Sequence, residues 1–265
     1  MTGTHTFFLS AMLLAALPDA TKVELKTTTV QAFDSYIRKA EQRIDGGRGT
    51  SQYLWADGTP VRKEHVRRGE TVVEPWTGNG EIEIADGLIH DWVGAVFIPG
   101  ANLAEALALV QDYNNHKASY KPEVIASQVL THSGNDFQVR LRLLKKQVIT
   151  VVLNTDHDVH YTPIDETKCS SRSYSTRIAE VENAGEPGER ELSPGHDHGF
   201  LWRLNSYWRF EERDRGVYVE CEAISLTRSV PLGLGWLVNP IIRSLPRQSL
   251  SNTLQATRDA VAAKR

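Results

Sequence analysis

The stretch Phe200-Leu201-Trp202-Arg203-Leu204-Asn205-Ser206-Tyr207-Trp208-Arg209-Phe210 decides how this chain folds. Phe200, Trp202, Leu204, Ser206, Trp208 and Phe210 hold its even positions, while Arg203, Asn205 and Arg209 stand among the odd ones. This alternation predicts a strand with one buried face. After Arg213-Asp214-Arg215-Gly216 the chain returns as Val217-Tyr218-Val219-Glu220-Cys221-Glu222-Ala223-Ile224-Ser225. With Asp214 and Arg215 at the turn, Phe210 meets Val219, Trp208 meets Cys221 and Ser206 meets Ala223, and on the other face Arg209 meets Glu220. Apolar faces apolar and cation faces anion, so the register supports itself. The second strand offers small residues where the first offers Trp and Phe, so a helix laid over the pair leaves room beneath it. The sequence then supplies a helix. Leu234, Val238, Ile241 and Leu245 recur at helical spacing, as do Leu250, Leu254, Thr257 and Val261, with Pro246 at the join. A short apolar helix followed by a long amphipathic one is expected, Pro246 kinking the pair or starting the second. Twisted antiparallel strands closed by one long terminal helix predict an α+β fold.

Upstream, the composition is that of an ordinary globular chain: 265 residues, 40% apolar, 24% charged, net charge -3. So small a charge gives no field for nucleic acid. No run of about 20 apolar residues offers a membrane-crossing helix. Phe7 to Leu17 is apolar and Pro18-Asp19-Ala20 follows, like the core and exit of a secretory signal, although Met1 to Thr6 lacks Lys and Arg. Residues 1–20 are therefore expected to be a signal peptide that exports the chain to a periplasmic or extracellular space. The other reading is a buried N-terminal helix in a cytoplasmic protein.

Residues 21–78 are expected to pack on the main domain, residues 79–265. Thr28 or Thr29 can cap a helix carrying Val30, Phe33, Ile37, Ala40 and Ile44, which Gly46-Gly47 stops. Ser51 to Trp55 and Thr71 to Trp76 are short strand candidates around an Asp57-Gly58 turn. Arg62, Lys63, His65, Arg67 and Arg68 between them read as a solvated edge, diluted by Glu64 and Glu70, rather than a contact with anionic lipid. Glu81 to Ile98 is strand material broken at Asp86-Gly87, and Asn102-Leu103-Ala104-Glu105 opens a helix with a capping box. Strands are expected from Glu123 to Leu130, from Phe137 to Leu143, from Val148 to Leu153 and from Lys168 to Val181, with a long loop from Asn183 to Gly199.

Ile98-Pro99-Gly100-Ala101, then Asp112-Tyr113, His116, Tyr120 and Pro122-Glu123-Val124, resembles the helix-to-second-strand passage of START-like (SRPBCC, helix-grip) proteins. Gly233-Leu234-Gly235-Trp236-Leu237-Val238 with Leu250 to Val261 resembles the final helix of that superfamily. The resemblance spans about residues 80–263 and rests on element order and spacing. It implies a helix-grip fold, a curved antiparallel β-sheet wrapped around a long C-terminal α-helix, here with an extra N-terminal helical segment. It also implies a cavity between sheet and helix that takes a hydrophobic small molecule such as a lipid, an isoprenoid quinone or a polyketide. A polyketide-cyclase-type enzyme and a protein-interaction module are the alternatives on the same fold.

The residues expected to line such a cavity are Trp92, Tyr113, Tyr120, Val139, Leu141, Trp202, Leu204, Trp208, Phe210, Val238 and Ile241. For a cyclase, His90, Arg140 and Tyr174 are the candidates to move a proton or polarise a carbonyl. His90-Asp91 is no pair, because neighbours on a strand point to opposite faces. Gly-x-Ser-x-Gly, phosphate-loop and His-Glu-x-x-His motifs are missing from the sequence, and no catalytic residue, cofactor or metal is assigned. Asp156-His157-Asp158-Val159-His160 and His196-Asp197-His198 have ligand types, but the topology puts them at opposite ends of the sheet, where they read as solvated loop histidines. Cys169 and Cys221 flank an intervening strand, about two spacings of 4.8 Å apart, and are expected as free thiols. Ser229 to Ile242 carries no charge, and Leu232 to Leu245 reads either as a gate open to transient membrane contact or as a rigid corner shaped by Gly233, Gly235, Pro240 and Pro246.

Overall fold

The computed structural model describes residues 22–47, 53–146, 150–229 and 243–264. In chain order the elements begin with β1 (Val23–Glu24), α1 (Thr27–Gly46), α2 (Pro60–Arg67), β2 (Val72–Pro75), β3 (Glu81–Ile84) and β4 (Gly87–Pro99). They continue with α3 (Leu103–Val110), α4 (His116–Ser119), β5 (Val124–Ser133), β6 (Asp136–Lys146), β7 (Thr150–Pro163) and β8 (Lys168–Glu182). The last are β9 (Arg190–Glu191), β10 (His196–Asp197), β11 (Arg203–Arg213), β12 (Gly216–Arg228) and a terminal helix, Leu245–Ala263.

The hairpin of β11 and β12 forms in the anticipated register, with Trp208 opposite Cys221, Arg209 opposite Glu220 and Phe210 opposite Val219. Asp214 and Arg215 make its turn at φ of 54° and 59°, the left-handed pair that a two-residue hairpin turn requires. The Tyr218 hydroxyl donates to Asp214 at 2.8 Å across the turn. From this hairpin the antiparallel sheet extends in the order β2, β4, β12, β11, β8, β7, β6, β5. The sheet is open and curved around the terminal helix, whose buried stripe is Leu250, Leu254, Thr257 and Val261, as its spacing predicts. This is the helix-grip arrangement. Gly94 of β4 lets the helix come close: a Cβ there would lie 2.7 Å from Leu254 and 2.9 Å from the Val72 carbonyl oxygen.

The other face of the sheet is covered by the N-terminal segment. Phe33, Ile37, Ala40 and Ile44 of α1 pack on Ile89, Tyr207, Ile224 and Leu226. Tyr53, Leu54, Ala56 and Val66 pack on Ala95, Phe97 and Tyr218. Charges are buried beneath α1. Arg43 donates to both Glu222 oxygens, at 3.0 and 2.5 Å, and its guanidinium lies 3.5 Å over the Trp76 ring. Tyr36 donates to Asp91 at 2.7 Å. Arg209 pairs with Glu220 at 2.6 Å, and Glu220 also accepts the Ala56 amide at 2.9 Å. Burial first, and then Glu222 beside it, push the Asp91 carboxyl up to about 8.

Several expectations are corrected. The hairpin's first strand begins at Arg203, so Phe200 to Trp202 stand outside the alternation. Neither Thr28 nor Thr29 caps α1: Lys26 holds the N-cap position without a side-chain cap, and Thr29 turns inward and donates to the Ala85 carbonyl at 2.9 Å. Tyr53 and Leu54 do not form a strand but lead into a 3-10 turn, Trp55–Gly58. The basic run Arg62 to Arg68 is largely solvated, as expected, but it falls on α2, capped by Thr59 with Pro60 in its first turn, rather than on a link between two strands. Asp156 to His160 lies within β7, not at a strand end, because β7 runs on to Pro163. Its outward side chains pair with β6, Asp156 with Arg140 at 2.7 Å and His160 with Asp136 at 2.6 Å. The signal peptide of residues 1–20, Val238, Ile241, the short apolar helix and all but Leu245 and its two predecessors in the gate segment lie outside the described residues.

Candidate ligand-binding cavity

A cavity of about 290 Å³ lies between the inner face of the sheet and the terminal helix. By volume that is room for roughly ten waters at about 30 Å³ each. Side-chain size on the floor explains it. Ser206 of β11 stands opposite Ser173 of β8 on one side and Ala223 of β12 on the other. Three small residues in a row keep the floor low where larger ones would reach the helix. Val139, Leu141, Leu143, Leu153 and Val159 of β6 and β7 form an apolar wall. Leu245, Leu250 and Ala256 of the terminal helix form the roof.

Polar groups gather at defined points. The Tyr113 and Tyr161 hydroxyls lie 2.8 Å apart, and Tyr161 donates to the Val110 carbonyl at 3.4 Å. His116 Nε2 bonds the same carbonyl at 3.1 Å. The Tyr120 hydroxyl pairs with Thr257 on the terminal helix at 3.2 Å. Burial pushes Tyr120 up to about 12 and raises Tyr113 and Tyr161 as well, so all three are neutral hydrogen-bonding groups. His157 Nε2 bonds Thr155 Oγ1 at 3.0 Å, while its Nδ1 has no partner among the described residues. Burial lowers His116 and His157 to about 4, which leaves both imidazoles uncharged near neutral pH. At the rim Lys145 pairs with Glu123 and donates to Ser249 at 2.8 Å, and Asn252 donates to Glu123 at 2.7 Å. Burial alone would raise the Glu123 carboxyl, but the Lys145 charge and these bonds hold it below its usual range. This network ties β5 and β6 to the first turns of the terminal helix. Cys221 also lines the cavity, its thiol pushed well up by burial and so kept from acting as a thiolate.

Of the residues expected at such a site, Tyr113, Tyr120, Val139, Leu141, Leu204 and Trp208 line the cavity. Trp92 and Phe210 belong to the packed core that adjoins it. Trp92 closes on Gly80, where a Cβ would stand 2.6 Å from the ring, and Phe210 is fully buried, stacked beside Trp208. Trp202 is a correction: it packs with α1 on the outer side and donates its indole N–H to Asp197 at 2.9 Å, because the regular pairing of β11 begins only at Arg203 although the Trp202 amide still bonds the Leu226 carbonyl at 2.8 Å. The cyclase candidates do not line the cavity either. His90 is sealed against Thr227 at 3.1 Å, Arg140 is exposed and bound to Asp156, and Tyr174 lies beneath α1, donating to Glu41 at 2.5 Å. Of the two histidine clusters, His160 and His196 are exposed, as the solvated reading expects, but His157 lines the cavity and His198 is half-buried against Glu180 at 2.8 Å. Strand β11 separates Cys169 from Cys221, and both are free thiols. Tyr161 and His157 were missed, although extending the alternation Val151, Leu153, Thr155 along β7 reaches them.

No family model and no curated protein matches this sequence. Among solved structures, the chain is similar to a fragment of a STAR-related lipid transfer protein from Xanthomonas axonopodis, at 16% identity and a TM-score of 0.48, over 71% of this chain and 99% of that one. It is also similar to the lipid transfer and protein localization domain of human StarD13, at 9% identity and a TM-score of 0.45, over 79% and 98% of the two chains. A third similar structure is the Zhui aromatase/cyclase from a Streptomyces species, at 11% identity and a TM-score of 0.43, over 66% and 95%.

Proposed function

We propose that this protein binds a hydrophobic small molecule, of the size of a short lipid, an isoprenoid quinone head or a small polycycle, in the cavity beneath the terminal helix. The observation that carries this reading is the row Ser173, Ser206 and Ala223, which holds open about 290 Å³ between an apolar wall and an apolar roof. Well-packed interiors leave few voids larger than a water, so an apolar space of this size is a feature that packing alone does not call for. Neutral Tyr113, Tyr161, His116 and His157 supply orientation without charge, which suits an uncharged guest.

The test uses protein purified without detergent. Native mass spectrometry should find a co-purified small molecule, or the emptied protein should bind the uncharged probe N-phenyl-1-naphthylamine saturably. Ala223→Phe, which places a ring at the centre of the floor, should abolish probe binding while the fold is retained by circular dichroism. No bound molecule and no saturable probe binding would overturn the proposal, as would unchanged binding in the folded Ala223→Phe protein.

A further inference from the structure

The floor of the cavity is low but not apolar. Ser171 and Ser173 of β8, Ser206 of β11 and Ser225 of β12 all line it. Trp208 stands opposite Ser171, Ser206 opposite Ser173, and Leu204 opposite Ser225, so the four serines share the inner face. Ser171 and Ser225 are 4% and 5% exposed. Among the described residues none of the four hydroxyls has a hydrogen-bond partner, and none is among the polar atoms sealed inside packed protein. Their oxygens therefore open onto the cavity. Strand geometry sets their spacing: Ser171 and Ser173 are about 6.7 Å apart along β8, and Ser206 is about 4.8 Å across from Ser173. The orphaned Nδ1 of His157 belongs to the next strand over. Buried hydroxyls are normally paired, and four left unpaired in one apolar cavity are a recognition surface waiting for complementary atoms.

We infer that the cavity selects ligands carrying hydrogen-bonding oxygens along one edge and hydrocarbon along the other, the oxygens read by Ser171, Ser173, Ser206 and Ser225 and the hydrocarbon by the wall of β6 and β7. This rests on the binding function proposed above and narrows its ligand class. A plain acyl chain would strip water from the serines and return nothing, whereas a guest with oxygens on one edge replaces that water bond for bond.

Three small probes separate the alternatives by equilibrium dialysis. In 2,7-dihydroxynaphthalene both hydroxyls lie on one long edge, in the 2,6 isomer they lie on opposite edges, and naphthalene has none. The 2,7 isomer should bind at least threefold tighter than the 2,6 isomer, a comparison that needs no variant. Its preference over naphthalene should fall at least tenfold in Ser171→Ala/Ser173→Ala/Ser206→Ala, with naphthalene affinity unchanged or improved. Equal binding of the two isomers, or a preference that survives the triple substitution, would refute the hydroxyl row while leaving the binding function standing. Failure of all three probes to bind would remove both.

Discussion

Arg43→Ala should cost the fold about 3 kcal/mol, although Arg43 lies outside the hairpin and the terminal helix that shape the cavity. Glu222 is fully buried, while the Arg43 side chain is 27% exposed. Removing one partner of a buried ion pair costs about 3–5 kcal/mol, because the remaining charge keeps its desolvation penalty and loses its compensation. Water that enters where Arg43 stood relieves part of this, which places the loss at the low end. The other nearby cation, on Arg209, is 4.0 Å from Glu222 and already paired with Glu220. The lost stacking on Trp76 adds about 0.5–1 kcal/mol. At about 2–4 °C per kcal/mol for a chain of this size, the melting temperature should fall by roughly 10 °C. Urea denaturation of wild type, Arg43→Ala, Glu222→Gln and the double variant closes a cycle. With Glu222 neutralised, Arg43→Ala should cost at least about 1.5 kcal/mol less. A loss under about 1 kcal/mol, or the same loss with and without the Glu222 charge, would refute the view that this pair clamps α1 to the sheet.

Asp91 gives a pH dependence of definite sign. Its carboxyl is raised to about 8 by burial and then by Glu222, so the folded protein keeps a proton that the unfolded chain releases from about pH 4. Stability should therefore decline from about pH 4 to 8 through this group and level off above, and Asp91→Asn should flatten that decline; parallel urea midpoints for the two proteins from pH 5 to 9 would contradict it. His90, His116 and His157 act in the opposite sense. Each is lowered to about 4, chiefly by burial, so the unfolded chain takes up their protons first and their contribution is lost as pH falls from about 6.5 towards 4. Histidine NMR titration should show three imidazoles still neutral at pH 5, and only surface-like titration near 6.5 would sink the idea. Gly94→Ala should cost about 1–3 kcal/mol by overpacking, since its Cβ would meet Leu254 at 2.7 Å and Val73 at 2.8 Å. Amide exchange should then quicken along the terminal helix, and unchanged protection there would count against close helix-to-sheet contact.

The hairpin was legible because two independent codes agreed: apolar alternation on one face and Arg209 opposite Glu220 on the other. The helical stripes of α1 and of the terminal helix were legible for the same reason that they are buried. Small residues on β12 opposite large ones on β11 announced the space above them. Where the reading failed, exposure or distance hid the signal. The outward half of β7 is charged, so Asp156 to His160 looked like a loop, and the basic residues of α2 masked the Thr59-Pro60 start that begins it. Trp202 has the right parity for the floor, but parity holds only within the regular pairing, which begins at Arg203. The pairing of Glu222 with Arg43 left no local signal, because the two stand 179 positions apart in the chain. A stripe of apolar residues says that a helix is buried, not which face of the sheet it covers, so the site of α1 was beyond reach.

That site has a mechanical consequence. Strands β4, β12, β11 and β8 are backed by α1, while β6 turns Gln138 and Arg140 to solvent. The cavity thus has a reinforced side and a single-ply side. Bowing the single ply outward strains exposed pairs such as Arg140 with Asp156, worth about 0–1 kcal/mol each. Bowing the reinforced side would have to part Arg43 from Glu222 and unseat Phe33 and Ile37. A guest that outgrows the resting volume will push where resistance is least, so swelling has a direction: towards β6 and away from α1.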